Sequence, residues 1–137
     1  MAAFTARQIM GDLERVGFPV QFGNTGGGVY CILADVVLHP YGVVGEVVIS
    51  ADGEWGMRDL DTPCESVTVG GCDLNGEHVV VMEAGWAQES TRMLTSDGTV
   101  ADVLDYAYAV AKNVETASVF AADAAEAVRD TYIDANA

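Results

Sequence analysis

The sequence predicts an α+β fold: an N-terminal helix, an antiparallel β meander of four to six strands, and a C-terminal helix or helix pair. Three observations carry this. Apolar residues recur at helical spacing near the start of the chain. Short apolar runs broken by Gly, Pro, Asn and Asp fill the middle, and neither glycine nor proline occurs from Thr99 to Ala137. Helical period, strand-and-turn punctuation and an unbroken helix-compatible stretch are the local signatures of that order. At 137 residues, half of them hydrophobic, the chain has the size of one ordinary domain and enough apolar side chains for a core. A single acidic domain over 1–137 is therefore expected.

The first helix is predicted over Ala6–Val16, capped by Thr5, with Ile9, Leu13 and Val16 on its inner face and Gly17 as its stop. Phe18–Phe22 reads as a strand, and the glycine-rich run Gly23–Gly28 as a turn. Val29–Leu38 is nearly continuously apolar, which suits a central strand, and His39-Pro40-Tyr41-Gly42 turns the chain into a further strand, Val43–Ser50. Asp52-Gly53 is a hairpin signal leading into Glu54–Met57. Arg58–Pro63 reads as irregular, Ser66–Val69 as a short strand suited to a sheet edge, and Asn75-Gly76 as a turn into a β run, His78–Glu83. Connections this short exclude parallel crossovers.

Gly85–Ser96 reads as irregular, closed by Asp97-Gly98. Thr99 with Asp102 three residues on has the form of a capping box, and Val100, Val103, Leu104, Ala107, Ala111 and Val114 then recur at helical spacing. The remainder of the chain is one long helix or, as favoured here, two helices joined near Glu115–Ser118. Thr116 and Ser118 are good caps, and a single helix would outrun so small a sheet.

The charge constrains partners. Twenty-one acidic residues face six basic ones, a formal charge of −15. Such a surface repels nucleic-acid phosphates and anionic lipid heads, and favours basic proteins and divalent cations. No direct nucleic-acid or membrane partner is expected. The charge is uneven: residues 1–50 carry four acids against two arginines, residues 51–100 ten against two, and residues 101–137 seven against two. Acidity acquired only for solubility in high salt would be spread over the whole surface.

The opening MAAFTARQIMGDLER contains Asp12 and Glu14 and no long apolar run, so no export signal is expected. Cys31, Cys64 and Cys72 make an odd count, which suits free thiols in a reducing cytoplasm.

Known site signatures are missing. The run Gly23–Gly28 is not followed by the lysine and helix start of a phosphate loop, and G-x-G-x-x-G is absent. Asp52, Glu54, Asp59, Asp61, Glu65 and Asp73 are carboxylates in loop-rich sequence, but their order is not that of a calcium loop. Cys64 and Cys72 lie too far apart for a usual structural zinc pair, with His78 beyond them. No G-x-S-x-G elbow occurs, and whether Cys72 meets His78 in space is undecided by sequence. No catalytic, cofactor-binding or metal-ligating residue is assigned, and no cofactor is expected.

The tail carries the most specific signal. Asp123, Glu126, Asp130 and Asp134 step by three, four and four, which places them on one face of a helix with only Arg129 nearby. Like charges at this spacing destabilise a helix by a few tenths of a kcal/mol each. The stripe suits a solvated outer face, with Phe120, Ala124, Ala127 and Val128 turned inward. That plain solvated face is the favoured reading; the same four residues also suit a docking face for a basic protein surface, and they are the predicted protein-binding site.

The segment Thr25-Gly26-Gly27-Gly28-Val29-Tyr30-Cys31-Ile32, followed by Val43–Ser50 and Ala51-Asp52-Gly53, resembles small uncharacterised proteins of actinobacterial phages. The resemblance covers some thirty residues and implies a phage or actinobacterial origin, with no activity to transfer. The order helix, strands, helix is also similar to that of small acidic secretion chaperones, which dimerise and hold unfolded partners.

The function expected from these observations is a non-enzymatic acidic interaction module, a phage accessory or host-takeover factor acting in the host cytoplasm. A nucleic-acid mimic is its special case. The alternatives are a small metal-dependent enzyme built on the carboxylates of 52–73 with His78, or an acidic chaperone-like dimer. A homodimer is expected through a sheet edge or helix, because open edges need covering and Trp55, Trp86, Tyr106 and Tyr108 offer large amphipathic surface. Tyr106 and Tyr108 are expected on different sides of a helix.

Overall fold

The computed structural model describes residues 3–26, 29–51, 57–79 and 86–136. At the start, the Thr5 hydroxyl accepts the Gln8 N–H (3.3 Å) and the Gln8 side-chain oxygen accepts the Thr5 N–H (3.0 Å). This reciprocal capping box opens α1 (Ala6–Arg15), which buries Ala6, Ile9 and Leu13. Gly17, at φ 102°, ends the helix in a conformation that only glycine adopts cheaply. Val16, expected on the inner face, is instead the C-cap and is exposed.

Six strands follow: β1 (Val20–Gly26), β2 (Val29–Leu38), β3 (Gly42–Ala51), β4 (Val67–Asp73), β5 (Trp86–Leu94) and β6 (Val100–Ala111). They form one antiparallel sheet in the order β1-β2-β3-β4-β6-β5. The meander holds through β4. The chain then passes to the far edge and returns, so that β6 lies between β4 and β5.

Several expectations change. Ser66–Val69 belongs to β4, which lies in the sheet interior between β3 and β6. Its alternation is the reason: Val67 and Val69 are buried, and Thr68 and Gly70 are half-buried on the other face. Gly23, Asn24, Thr25 and Gly26 continue β1, paired with β2 across a register shift between Asn24 and Gly26, so the turn cannot begin at Gly23. The end of that turn, Gly27-Gly28, and the stretches 52–56 and 80–85 lie outside the described residues.

The largest correction concerns the C-terminal third. Gly85–Ser96, read as irregular, contains strand β5, and Val100–Ala111, read as helix, is strand β6. Thr99 is not a helix cap. It closes a β5–β6 hairpin in which Thr95 N donates to Thr99 O (2.8 Å) and Gly98 sits at φ 83°. Tyr106 and Tyr108 therefore lie in a strand, two positions apart. The helix begins only at Asn113, whose side chain accepts the Thr116 N–H at 2.7 Å, and α2 (Val114–Ala135) then runs unbroken through the joint expected near Glu115–Ser118.

Helix α2 packs across β4, β3, β6 and β2, and α1 packs on α2, β1 and β2. One core joins them: Ile9 and Leu13 from α1, Ile32, Ala34 and Val36 from β2, Val47 and Ile49 from β3, Val67 and Val69 from β4, and Ala117, Ala121, Ala124, Ala125 and Val128 from α2. The helix face is mostly alanine, and glycines meet it. A methyl group on Gly45 would stand 2.5 Å from Val128 Cγ1, and one on Gly71 would stand 2.9 Å from Val128 Cγ2. Small residues on both sides bring helix and sheet into close approach. Both helices thus cover one face of the sheet.

Candidate functional site

Two places follow from this arrangement: the outer face of α2, and the sheet face that the helices leave open.

On α2, burial of Ala117, Ala121, Ala124, Ala125 and Val128 fixes which side looks outward. Asp123, Glu126, Asp130 and Asp134 all lie on the outward side and all are exposed. The predicted stripe is thus one continuous surface feature. Phe120 and Ala127, expected inward, are half-buried at the margin, where Phe120 meets Trp86 edge-on at 6.2 Å. Arg129 gives the stripe little relief. Its Nε donates to Val37 O (3.0 Å), and its terminal nitrogen stands 3.8 Å from Glu126. Val119 and Ile133, 53% and 48% exposed, flank the carboxylates with apolar surface.

The open sheet face contains a cavity of about 300 Å³ lined by Val48, Ser50, Thr68, Gly70, Cys72, His78 and Tyr108. Register builds it. Val48 opposes Gly70, which opposes Tyr108, and Ser50 opposes Thr68, whose hydroxyl donates to Ser50 O at 3.3 Å. Beyond the end of the β4–β6 pairing, a turn folds the chain back on β4. The Asp73 carboxylate accepts the N–H groups of Asn75 (2.9 Å) and Glu77 (3.0 Å), and Val79 N donates to Gly71 O (2.9 Å). His78 thereby becomes the cross-strand partner of Cys72, with Nδ1 3.6 Å from Sγ.

The meeting of Cys72 with His78, undecidable by spacing, therefore occurs. The sequence signal for it is the Asn75-Gly76 turn, since a hairpin about that dipeptide returns the chain onto the end of β4. Burial, with the charges of Glu46 and Asp73, pushes the Cys72 thiol up. That holds it protonated at neutral pH and disfavours attack as a thiolate. Cys31 is raised by burial and by Glu46, and Cys64 by burial. All three cysteines are free and buried, and Cys64 sits in the core, away from this pair.

The loop carboxylates do structural work. Asp61 makes a two-point pair with Arg7 (2.9 and 3.1 Å), tying the 57–66 loop to α1. Asp59 Oδ1 accepts the Asp61 N–H (2.8 Å) and the Thr62 hydroxyl (3.2 Å). Asp52 and Glu54 lie outside the described residues. Among the described residues, no three His, Cys, Asp or Glu side chains surround one point where an ion could sit. A broader cleft of about 480 Å³ lies over the stacked rings of Phe22 and Tyr30 (4.9 Å, 5°), and its lining arginines, Arg7 and Arg58, are balanced by Asp59 and Asp61.

No described helix is long and apolar enough to cross a membrane. The chain matches no protein-family model, and no curated protein and no solved structure matches it.

Proposed function

We propose that this chain is a non-enzymatic acidic interaction module whose outer α2 face docks on a basic surface of another protein. The supporting observation is the exposed alignment of Asp123, Glu126, Asp130 and Asp134 along a single 22-residue helix. Repulsion between these groups opposes the helix, and Asp134 in the last turn also opposes its dipole. A basic partner relieves both. Exposed Val119 and Ile133 supply the apolar contact that a purely electrostatic surface lacks.

Helical rise puts one stripe charge about every 4.5–6 Å along the axis. Duplex DNA carries one about every 1.7 Å. The stripe alone therefore falls well short of duplex charge density, and nucleic-acid mimicry requires acids beyond α2. The phage accessory or host-takeover role in the host cytoplasm rests on the resemblance at residues 25–32 and 43–53. A homodimer would find its seats at the sheet edges, β1 and β5.

The test is affinity capture from bacterial lysate across a salt series. It compares the wild type, the variant D123N/E126Q/D130N/D134N, and the control E14Q/D35N/E65Q/E77Q, which removes the same charge elsewhere. Basic proteins held by the wild type and the control, released by salt and missed by the α2 variant, are the expected result. Competition by duplex DNA would identify the mimic. Equal capture by all three proteins, or capture indifferent to salt, would refute α2 docking.

A further inference from the structure

We infer that β5 is a dimerisation edge, along which two copies of this chain pair antiparallel about a two-fold axis at Ser90. The inference does not rest on α2 docking, and it specifies which sheet edge a second copy takes.

The first support is a ribbon that the rest of the sheet leaves bare. β6 pairs with β4 only from Tyr108 to Ala111, whereas it pairs with β5 from Val100 to Ala109. From Gln88↔Ala107 to Leu94↔Val100, about 20 Å along the strand, β5 and β6 have no strand neighbour but each other among the described residues. A two-stranded ribbon is marginal in water, and a third strand is what this one lacks. At its tip Leu94 and Val100 oppose each other, 74% and 63% exposed.

The second support is the contrast between the two edges. β1 is seven residues long, shifts register between Asn24 and Gly26, and has α1 packed against it. Short length, bulges and covering elements are the devices that blunt an edge. β5 is nine residues long, and the register shift beside it falls in β6, where Asp105 is skipped, so β5 itself runs on uninterrupted. Its only charges are Glu89 and Arg92, a net of zero in a chain of −15. Two copies that repel elsewhere can approach here.

The third support is self-complementarity. A two-fold axis normal to the sheet keeps each side chain on its own face, so opposed residues must both be odd or both be even in number. With the axis at Ser90 all nine residues overlap. Trp86 then opposes the partner's Leu94, Gln88 the partner's Arg92, and Glu89 the partner's Thr91. Apolar ends meet and no like charges face each other. An axis at Glu89 or at Arg92 would set a charge directly against its own copy, which destabilises a sheet. Backbone hydrogen bonds of the added strand supply the affinity, and the exposed tip leucine is covered at the half-buried Trp86, beside Phe120.

Sedimentation equilibrium of the full chain should show a monomer–dimer equilibrium that tightens with sodium chloride, which screens the repulsion between copies. Docking on a basic partner weakens with salt, so the two proposals fail separately. Under mild oxidation Ser90→Cys should cross-link, because directly opposed Cβ atoms lie about 4.5–5.5 Å apart. Thr91→Cys meets its counterpart only on the diagonal, at about 7–8 Å, and should not. Neither should Gln21→Cys on the β1 edge, nor the wild type, whose three cysteines are buried. Leu94→Asn should weaken the dimer about tenfold or more, since two leucines leave the interface. Circular dichroism verifies that each variant is folded. A chain monomeric at millimolar concentration in high salt, or a dimer indifferent to Leu94→Asn, would overturn the inference. Cross-linking through Gln21→Cys, or through Thr91→Cys in place of Ser90→Cys, would overturn it as well.

Discussion

The most demanding positions in the molecule are two glycines without a turn to make. Gly45 in β3 and Gly71 in β4 pass beneath α2 where Val128 seats on the sheet. A Cβ on Gly45 would lie 2.3 Å from the Cys72 carbonyl oxygen as well as 2.5 Å from Val128 Cγ1. A Cβ on Gly71 meets Val128 Cγ2 at 2.9 Å and the Ala124 carbonyl at an ordinary 3.4 Å. Backbone cannot step aside as a side-chain tip can, so Gly45→Ala should be the worse of the two. Overpacking of this kind costs about 1–3 kcal/mol. Urea denaturation should place Gly71→Ala near the lower end of that range and Gly45→Ala at or beyond its upper end. Equal costs would mean that the helix shifts as a unit. A glycine in a strand pattern signals a bulge or a close approach, but nothing in the local sequence names what approaches. The need for Gly45 and Gly71 is a long-range fact, set by helix residues Ala124 and Val128, each more than fifty positions away.

At the scale of elements, legibility tracked how far local pattern determined local structure. β2 begins and ends where its apolar run does, and α1 is bounded by Thr5 and Gly17 as read. The failure at Val100–Ala111 has a physical cause. A nearly continuous apolar run satisfies helical and strand periods together, and Val100, Val103, Leu104, Ala107 and Ala111 fit the helical one. The deciding feature was the alternation of buried Ala107, Ala109 and Ala111 with partly exposed Tyr108 and Val110. Thr99 mimicked a helix cap because Thr serves hairpin turns as readily as caps, while Asp102 is a strand residue of β6 facing Arg92 across the β5–β6 pair. Of the two candidate sites, the stripe on α2 was legible because it needs only helical spacing. The Cys72–His78 pair was not, because it needs the register of a hairpin.

The β5–β6 hairpin yields a pH prediction. The hydroxyls of Thr95 and Thr99, and the Thr99 N–H, all donate to Asp97 and hold its carboxyl well below the usual range, at about 2. A depressed acid stabilises the structure that binds its ionised form. That support is complete above the ordinary value of 3.8 and is lost as pH falls through about 2. Side-chain carbonyl NMR should show Asp97 titrating near 2. Amide exchange at the β5–β6 turn should quicken over that window, and Asp97→Ala should make the turn labile at neutral pH. An Asp97 midpoint near 4 would contradict the hydrogen-bonded turn.

For the whole molecule, the question is which charge effect dominates stability. Of the six basic residues, Arg7, Arg15, Arg92 and Arg129 make ion pairs with Asp61, Asp12, Asp102 and Glu126. In each pair at least one side chain is two-thirds exposed or more, and pairs of that kind contribute about 0–1 kcal/mol. Against them stands the mutual repulsion of a net −15, which compaction concentrates. Salt screens both, with a Debye length of about 30 Å at 0.01 M and about 10 Å at 0.1 M. The many longer-range repulsions should therefore weaken more than the few close attractions. Thermal unfolding followed by circular dichroism should show Tm rising as sodium chloride increases over that range. A falling Tm would mean that the ion pairs, above all Arg7–Asp61 between α1 and its loop, outweigh the repulsion. Docking of the α2 face on a basic partner has the opposite dependence, because salt weakens attraction between unlike surfaces. The two responses thus separate on one axis. Partner release in salt that raises Tm is loss of electrostatic docking and not loss of fold, and neutralising Asp123, Glu126, Asp130 and Asp134 should flatten both curves together.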